Sequence, residues 1–330
     1  MHGRVFKIHS DFYYVDTKEG IFECKLREVL KKIRDDVIVG DFVNIEKTGN
    51  FTGVITGKEP RTTFLKRPKV ANVSQVLTVY DVNSEKSDFV GLDRYICLCE
   101  YHKIKPILCF NKTDLLNDDK IFEYIRSIYE KCGYECIFVS AKTGFNKELL
   151  ENIFKNNLTV LCGASGVGKS SVLNLFGINA KTSEVSVKTG KGTHTTRHCE
   201  IYKIMPNSYV ADTPGFSNVK FDFLLPAEIS SLFPEIKDVK CKYADCLHIS
   251  EEGCSVKEYG LLREERYKSY LQFVEEAKEY KEKIRNSGTK EETYSKFNKG
   301  KYSVKISKPG RRNSRKSEKQ NLTRGSNDVY

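Results

Sequence analysis

The fold of this 330-residue chain is decided by the stretch Gly163-Ala164-Ser165-Gly166-Val167-Gly168-Lys169-Ser170. It matches the pattern G-x-x-x-x-G-K-[ST], a loop that follows a strand, opens a helix and surrounds phosphate groups with backbone N–H groups. The apolar run Leu158–Cys162 before it predicts the strand, and residues 170–176 predict the helix. Lys169 is the candidate for contacting the terminal phosphates, and the Ser170 hydroxyl for binding Mg²⁺. Ser171 completes this candidate phosphate site.

A second phosphate-linked motif, Asp212-Thr213-Pro214-Gly215, follows a predicted strand over residues 208–211. An acidic residue at this position suits a second magnesium contact, and the Gly215 N–H suits a contact to the terminal phosphate. Between the two motifs, the glycine-rich and polar stretch Lys188–Arg197 is a candidate switch segment. Either Thr195 or Thr196 in it is a candidate for a further magnesium ligand.

A base-recognition motif, Asn111-Lys112-Thr113-Asp114, comes directly after the predicted strand Ile107–Phe110. The Asp114 carboxylate is able to accept two hydrogen bonds from guanine, one from N1–H and one from the exocyclic amine. Adenine lacks both donors in that arrangement, so such a site would leave buried groups unpaired with the wrong base. Ser140-Ala141-Lys142 ends the next strand and is expected to close over the base. Four motifs at four strand ends predict a GTP site.

The order of these motifs is unusual. In ordinary GTPases the phosphate loop comes first, whereas here residues 111–114 and 140–142 precede Gly163. Strands alternate with helices between residues 67 and 220, which predicts a doubly wound, mainly parallel sheet. The chain therefore predicts a circularly permuted P-loop GTPase domain over residues 67–220, a rearrangement that is possible because domain termini often lie close together.

The hydrolytic step is less defined by the sequence. Phe216 stands where many GTPases carry the glutamine that orients the attacking water, and a phenylalanine cannot do this. Either hydrolysis is intrinsically slow or a residue such as His194 substitutes, although a solvent-facing loop histidine would look the same. Two other functions stay open: a guanine-nucleotide-sensing RNA-binding protein with negligible turnover, and an ATP-using P-loop enzyme, against which Asp114 argues.

The first 66 residues read as a small β domain. Five short runs of strand-like residues are separated by turn residues such as Ser10-Asp11 and Gly40-Asp41. Five strands in so short a segment predict a closed barrel over residues 1–66. The oligonucleotide-binding (OB) fold is the commonest five-stranded solution, and an SH3-like barrel would give much the same pattern.

Three cysteines and a histidine cluster in a polar segment near the C-terminus. They are Cys241, Cys246, His248 and Cys254. Three thiols and an imidazole form the ligand set of a structural, tetrahedral zinc site. The pattern predicts one structural Zn²⁺ in a helical domain over residues 221–287, followed by a flexible basic tail over 288–330. A charged helix is predicted over residues 256–285, with Leu261, Leu262, Tyr270, Phe273 and Val274 as its buried stripe.

Composition narrows the class of protein. The chain is 39% hydrophobic and 30% charged, and no apolar run approaches the roughly 18 residues that span a bilayer. Residues 1–16 are too charged for a signal peptide. Together, these features exclude a membrane protein, a secreted protein and a disordered chain. The net charge is +11, with nine Lys and Arg against two Asp and Glu in residues 301–330, which favours nucleic acid or acidic lipid as partner.

Cysteine usage indicates the redox compartment. The chain has 11 cysteines, and an odd number without a signal peptide is typical of a reducing cytoplasm. Cysteines in or beside apolar segments are expected to behave as small hydrophobic core residues. These are Cys97, Cys99, Cys109, Cys132, Cys136 and Cys162.

Taken together, a five-stranded barrel, a permuted GTPase and a Cys-Cys-His-Cys cluster resemble the RsgA/YjeQ family of ribosome-small-subunit-dependent GTPases, over about residues 1–285. The resemblance implies a protein that hydrolyses GTP to GDP and phosphate. We expect it to be a cytoplasmic monomer that binds GTP with Mg²⁺. The resemblance also implies binding to the small ribosomal subunit and its rRNA through the barrel, action in late maturation of that subunit, and hydrolysis stimulated by it. His194 matches the position of the histidine that assists hydrolysis in the family.

Overall fold

The computed structural model describes residues 1–31, 36–66, 69–83, 89–116, 118, 120–178, 201–212, 220–286, 296–298 and 301–303. These ranges form a closed barrel, a six-stranded sheet covered by helices, and a helical C-terminal region. In the described part of the chain, every helix is too short or too polar to span a bilayer.

The N-terminal barrel contains five strands. They are β1 (His2–His9), β2 (Phe12–Thr17), β3 (Gly20–Leu26), β4 (Phe42–Gly49) and β5 (Thr52–Lys58), with a short helix α1 (Glu28–Lys31) after β3. The order around the barrel is β1-β2-β3-β5-β4, antiparallel throughout except for the parallel pair β3–β5. Alternate residues such as Val5, Val15 and Ile55 fill the interior. This connectivity is the Greek-key arrangement of the OB fold and decides against the SH3-like alternative.

A hairpin joins the barrel to the central sheet. Its strands are β6 (Phe64–Lys66) and β7 (Lys69–Ala71). The Asn72 side chain then donates to the Gly40 carbonyl at 3.1 Å and accepts from the Thr62 N–H at 2.9 Å. One amide thus fixes the barrel, the hairpin and the start of the sheet to each other.

The central sheet has six strands. They are β8 (Gln75–Asp81), β9 (Lys105–Asn111), β10 (Glu135–Phe138), β11 (Leu158–Cys162), β12 (Ile201–Met205) and β13 (Ser208–Asp212). Their order is β10-β9-β8-β11-β13-β12, and all pairs are parallel except the β12–β13 hairpin. The mainly parallel sheet is confirmed, and the carboxyl ends of its parallel strands meet at one edge.

Helices cover both faces of the sheet. They are α2 (Phe89–His102), α3 (Lys120–Tyr129), α4 (Lys147–Phe154) and α5 (Lys169–Asn174). Phe154 of α4 and Val172 of α5 pack with Leu161 on one face, whereas Ile96 of α2 and Ile128 of α3 pack on the other. The sheet is therefore doubly wound, as the alternation of strands and helices predicted.

The sequence predicted a single helix over 256–285, but in the structure this part of the C-terminal region forms two helices. The region contains a 3₁₀ helix (Pro226–Leu232), α6 (Ser255–Glu258) and α7 (Glu264–Asn286). Gly260 adopts a left-handed φ of 58° that ends the α6 turn. Leu261, in this break, is 39% exposed and lies outside the buried stripe, whereas Leu262, Tyr270, Phe273 and Val274 are buried as predicted.

Two short strands, β14 (Lys296–Asn298) and β15 (Lys301–Ser303), pair antiparallel within the segment that was expected to be an irregular basic tail. A hairpin of this size has little stability of its own.

The C-terminal region shares one core with the central sheet. Phe273 and Val274 of α7 belong to the same buried cluster as Val160 and Ala211 of the sheet. Across this boundary, Arg94 of α2 donates to both carboxylate oxygens of Glu276, at 2.7 and 2.6 Å. The C-terminal region is therefore packed against the central sheet rather than attached through a loose linker.

Candidate nucleotide and metal sites

The loop Gly163–Ser170 lies at the carboxyl edge of the sheet, between β11 and α5, as predicted. Gly168 has a left-handed φ of 100°, and a Cβ there would lie 2.2 Å from Asn111 Nδ2. Only glycine fits this position, because a side chain would displace that amide. Ala164, Ser165 and Gly166 are exposed, so the loop is open to an incoming ligand.

Lys169 is folded back over its own loop. Its ammonium donates to the Gly163 carbonyl at 2.9 Å and to the Ala164 carbonyl at 2.8 Å. The side chain is half-buried. A positive charge held at the loop entrance suits the role of contacting terminal phosphates.

Asn111 connects the phosphate loop with the base motifs. Its Nδ2 donates to the Val167 carbonyl at 2.9 Å, and its Oδ1 accepts from the Ala141 N–H at 2.9 Å. The residue is 2% exposed. One buried amide therefore fixes the spacing between the P-loop and the loop that starts at Ser140.

Asp114 is exposed, and its carboxylate is held by one close neighbour. The hydroxyl of the buried Ser140 donates to Asp114 Oδ1 at 2.6 Å, and the Thr143 N–H donates to that hydroxyl oxygen at 3.2 Å. The second carboxylate oxygen, Oδ2, is outside this hydrogen bond. The structure thus brings Asn111, Asp114, Ser140 and Ala141 together, with Lys142 exposed at the rim.

Two residues that hold the base motif, Asp81 and Asn83, do not belong to any motif in the sequence. Lys112 has a left-handed φ of 68°, and its ammonium pairs with Asp81 Oδ2 at 2.6 Å. Asn83 Nδ2 donates to the Lys112 carbonyl at 2.7 Å. Thr113 follows Lys112 at the start of a single 3₁₀ turn. In the sequence, the only indication was that Asp81 and Asn83 are polar and stand at the carboxyl end of β8. That end lies beside the end of β9, where the base motif begins.

The remaining phosphate-linked residues are partly described. Asp212 ends β13 and is paired in register with Leu161 of β11, so its backbone lies beside the start of the P-loop. Ser170 lies in the first turn of α5. His194, Thr195, Thr196, Gly215 and Phe216 lie outside the described residues.

The four predicted zinc ligands converge. Their ligand atoms all lie within 4.8 Å of one another. His248 Nδ1 is 3.4 Å from Cys241 Sγ and 3.5 Å from the Sγ atoms of Cys246 and Cys254. At a tetrahedral zinc, Zn–S of about 2.3 Å and Zn–N of about 2.0–2.1 Å place these atoms about 3.6 Å apart. The cluster therefore fits one zinc ion bound through Nδ1 of the histidine.

Helix α7 and an acidic residue hold the ligand loop. Tyr267 Oη donates to the His248 carbonyl and Tyr270 Oη to the Leu247 carbonyl, both at 2.8 Å. The Glu251 carboxylate accepts the N–H groups of Leu247 and Ile249. Burial raises the pKa of Glu251, but these backbone donors outweigh it and lower the pKa to about 2. Glu251 is thus an anion at neutral pH and stabilises the loop backbone.

The other predicted core cysteines are distinct from these ligands. Cys97, Cys99 and Cys109 are buried free thiols, and burial raises the pKa of each well above its usual range. Cys162 lies 3.2 Å from the Thr78 hydroxyl in the same interior. They are neutral at physiological pH and act as small apolar side chains, as expected.

Comparison with protein-family models agrees with this architecture. A model described as the RsgA N-terminal domain matches residues 2–55, and one described as RsgA GTPase matches residues 58–222. A third model, described as 50S ribosome-binding GTPase, matches residues 159–287. The first model ends at residue 55 within β5, and the second begins at residue 58, the last residue of that strand.

Curated relatives and solved structures match most of the chain. The small ribosomal subunit biogenesis GTPase RsgA of Bacillus cereus is 39% identical over 289 residues, covering 84% of this chain and 98% of its own. Its counterpart from Alkaliphilus metalliredigens is 39% identical over 287 residues, covering 84% and 97%.

Among solved structures, YjeQ from Thermotoga maritima has a TM-score of 0.72 at 32% identity, covering 84% of this chain and 98% of its own. YloQ, described as a circularly permuted GTPase, has a TM-score of 0.71 at 31% identity, covering 84% and 95%. The resemblance inferred from the motifs is thus confirmed, and the protein belongs to the RsgA GTPase family.

Proposed function

We propose that the chain binds GTP at the carboxyl edge of its central sheet and hydrolyses it to GDP and phosphate while acting on the small ribosomal subunit. The observation that carries the nucleotide site is the pair of hydrogen bonds made by Asn111. They hold the P-loop and the base loop at a fixed separation, which a ligand with a base at one end and phosphates at the other requires. The proposed GTP-binding residues are Asn111–Asp114, Ser140–Lys142, Gly163–Ser171, Thr195, Thr196, Asp212 and Gly215.

In this proposal, Asp114 selects the base. Ser140 holds one carboxylate oxygen at 2.6 Å and so orients the group. The carboxylate then accepts the N1–H and the exocyclic amine of guanine. ATP is rejected because its adenine leaves that carboxylate unpaired.

The phosphate end is bound by the P-loop. Lys169 and the backbone N–H groups of the loop bind the phosphates, and Ser170 and Asp212 would hold Mg²⁺, with Thr195 or Thr196 as a further ligand. The magnesium ion neutralises charge that develops on the phosphate oxygens. We assign His194 to positioning the attacking water, because Phe216 has no group that could hydrogen-bond to it.

The small ribosomal subunit is proposed as the partner. Relatives that are 39% identical carry the name small ribosomal subunit biogenesis GTPase, and the barrel has the connectivity of an RNA-binding fold. We propose that the subunit stimulates hydrolysis during its late maturation, that the barrel contacts its rRNA, and that the protein acts as a cytoplasmic monomer. The proposed division is barrel 1–66, GTPase 67–220, zinc domain 221–287 with one structural Zn²⁺, and basic tail 288–330.

The test is GTP hydrolysis by the purified protein, alone and with purified small ribosomal subunits. We expect a rise that is specific for the small subunit and absent with the large one. His194→Ala should abolish the rise while GTP binding is retained, and His198→Ala, directly after the switch segment, is the matched control. A flat rate with intact GTP binding would contradict the proposal and favour a guanine-nucleotide sensor with negligible turnover.

A further inference from the structure

A cavity of about 540 Å³ lies between the barrel and the sheet, away from the nucleotide motifs. Its walls come from β1, β2 and β4 of the barrel and from the β12–β13 hairpin. Asn156 and Asn207, on its sheet side, precede β11 and β13, so the cavity lies at the amino edge of the sheet. The volume is in the range of ligand-binding clefts, about 300–1,000 Å³.

Arg4 lies between two aromatic rings in this cavity. Its guanidinium carbon is 4.5 Å from the Phe42 ring centre and 5.1 Å from that of Tyr209. His2 also stacks on Phe42, with ring centres 5.3 Å apart. Both rings lie within cation–π distance of the guanidinium. Within the described residues, no carboxylate or carbonyl accepts a hydrogen bond from the guanidinium.

The neighbouring acidic groups are already paired. Asp16 accepts hydrogen bonds from the Tyr209 hydroxyl and from Lys203, whose ammonium is 2.6 Å away. Glu19 pairs with Lys47. In the described part of the chain, Lys18 lines the cavity without a carboxylate partner. Arg4 makes no hydrogen bond to a described carboxylate, although Asp16, opposite it in the β1–β2 pair, attracts its charge.

Two amides complete the set of unpaired donors. The side chains of Asn156 and Asn207 line the cavity and are exposed, and neither makes a side-chain hydrogen bond to any described residue. The cavity thus combines one guanidinium fork, one ammonium group and two amides. Such a set fits an anion with several acceptor oxygens, and an arginine fork matches phosphate geometry.

We propose that this cavity binds a phosphate group of an RNA strand, with Arg4 as the fork and Lys18 as a second charge. Lys18 and both amides are exposed at the rim, so the ligand continues into solvent, as a polynucleotide does and an enclosed small molecule does not. The site is on the end of β1 and β2 remote from the β1–β2 turn. The inference rests on the proposed function, since it names one contact to the rRNA partner.

The test is fluorescence anisotropy of a labelled single-stranded RNA oligonucleotide, titrated at several salt concentrations. Lys18→Gln should weaken binding several-fold and reduce the slope of log K against log salt by about 0.7, the loss of one phosphate contact on a single strand. Arg4→Lys keeps the charge but loses the fork, so affinity should fall with little change in slope. Lys120→Gln is the control, because Lys120 is 88% exposed on α3, outside the cavity.

Thermal unfolding of each variant shows whether the contact of Arg4 with the two rings also stabilises the fold. If Arg4→Lys unfolds, Lys18→Gln still tests the inference, because Lys18 is exposed. RNA affinity and salt slope unchanged in Lys18→Gln would overturn the inference, as would the absence of RNA binding by the wild type. Competition against the labelled RNA with inorganic phosphate, GMP and unlabelled RNA identifies the source of the anion. Displacement by GMP but not by unlabelled RNA would also overturn the inference.

The two proposals fail separately. If small subunits still stimulate hydrolysis while the cavity variants bind RNA like the wild type, only this inference is wrong. If the variants lose RNA affinity but subunits do not stimulate hydrolysis, the RNA site stands and the proposed function does not.

Discussion

Asn111 and Val167 are 56 residues apart in sequence, yet Asn111 Nδ2 donates a 2.9 Å hydrogen bond to the Val167 carbonyl. The donor is the last residue of β9 and the acceptor lies in the P-loop after β11, with β8 between those two strands. The bond therefore reaches across the carboxyl edge of the sheet, and the site depends on the packing of the whole sheet.

Asn111→Ala should weaken binding of both GDP and GTP. It removes two hydrogen bonds, one of them buried, and leaves the Val167 carbonyl and the Ala141 N–H unpaired. This costs about 1–3 kcal/mol, or roughly 5- to 150-fold in affinity. Isothermal titration calorimetry measures the effect, and Asn44→Ala on the barrel surface is the matched control. Equal nucleotide affinity in Asn111→Ala and Asn44→Ala would show that the two Asn111 hydrogen bonds do not organise the site.

Asp114→Asn should change base selectivity rather than abolish binding of every nucleotide. The amide no longer accepts both guanine donors, but its NH₂ group is able to donate to the 2-carbonyl of xanthine. We expect GTP affinity to fall at least about tenfold and XTP affinity to rise, since mismatched polar groups discriminate strongly. Competition against a fluorescent nucleotide, with ATP as control, tests this; an unchanged preference for GTP would remove Asp114 from base recognition.

Cys246→Ser should release zinc and destabilise the C-terminal region. Zinc binding at a closed site contributes directly to folding, and Cys254 belongs to the core shared with the sheet. Metal analysis should give one zinc per chain for the wild type and much less for the variant, with a lower melting temperature. Cys136→Ser, at a buried thiol in β10, is the control that should retain zinc; full zinc content in Cys246→Ser would contradict the ligand set.

Glu276 should make stability depend on acid pH. Burial raises the pKa of this carboxyl, but hydrogen bonds from Arg94 and from the Phe221 N–H outweigh it, so the pKa is lowered from 4.5. A lowered folded-state pKa gives stability that is present above the unfolded value and is lost as pH falls through the folded value. Glu276→Gln should cost about 1.5–3 kcal/mol at pH 7.

The measurement for Glu276 is denaturant unfolding of wild type and variant at neutral and at acid pH. The difference between the two proteins should shrink as the pH falls below the ordinary carboxyl range, and loss of zinc in acid affects both alike. Glu264→Gln, an exposed carboxyl on the same helix, is the control. A difference that stays constant with pH would rule out the ion pair as its cause.

Arg266 should be critical for attachment of the C-terminal region. Its guanidinium, 1% exposed, is 2.7 Å from Asp93 Oδ1 and 2.8 Å from Glu235 Oε1. Arg266→Met leaves two carboxylates buried without a cation, which costs about 3–5 kcal/mol. Adding Asp93→Asn and Glu235→Gln should recover most of that loss in urea unfolding. If the triple variant is no more stable than Arg266→Met, the loss comes from packing rather than charge.

Local sequence was sufficient for the motifs. The P-loop, the base motif and the Cys-Cys-His-Cys cluster are each formed by residues close together in the chain, so spacing alone identified them. The doubly wound sheet was also predictable, because parallel strands require helical crossovers. The predicted helix over 256–285 failed at Gly260, since hydrophobic spacing does not report the backbone angle of a single residue.

The contacts that organise the site were not predictable from the sequence. Asp81 and Asn83 support Lys112, Ser140 orients Asp114, and Arg266 joins α7 to Asp93, in each case between distant segments. Sequence alone determined which chemical groups the chain carries and which local elements present them. Which partner each group meets was decided only by strand order and helix packing, because a hydrogen bond needs atoms about 3 Å apart and sequence spacing does not fix distances between elements.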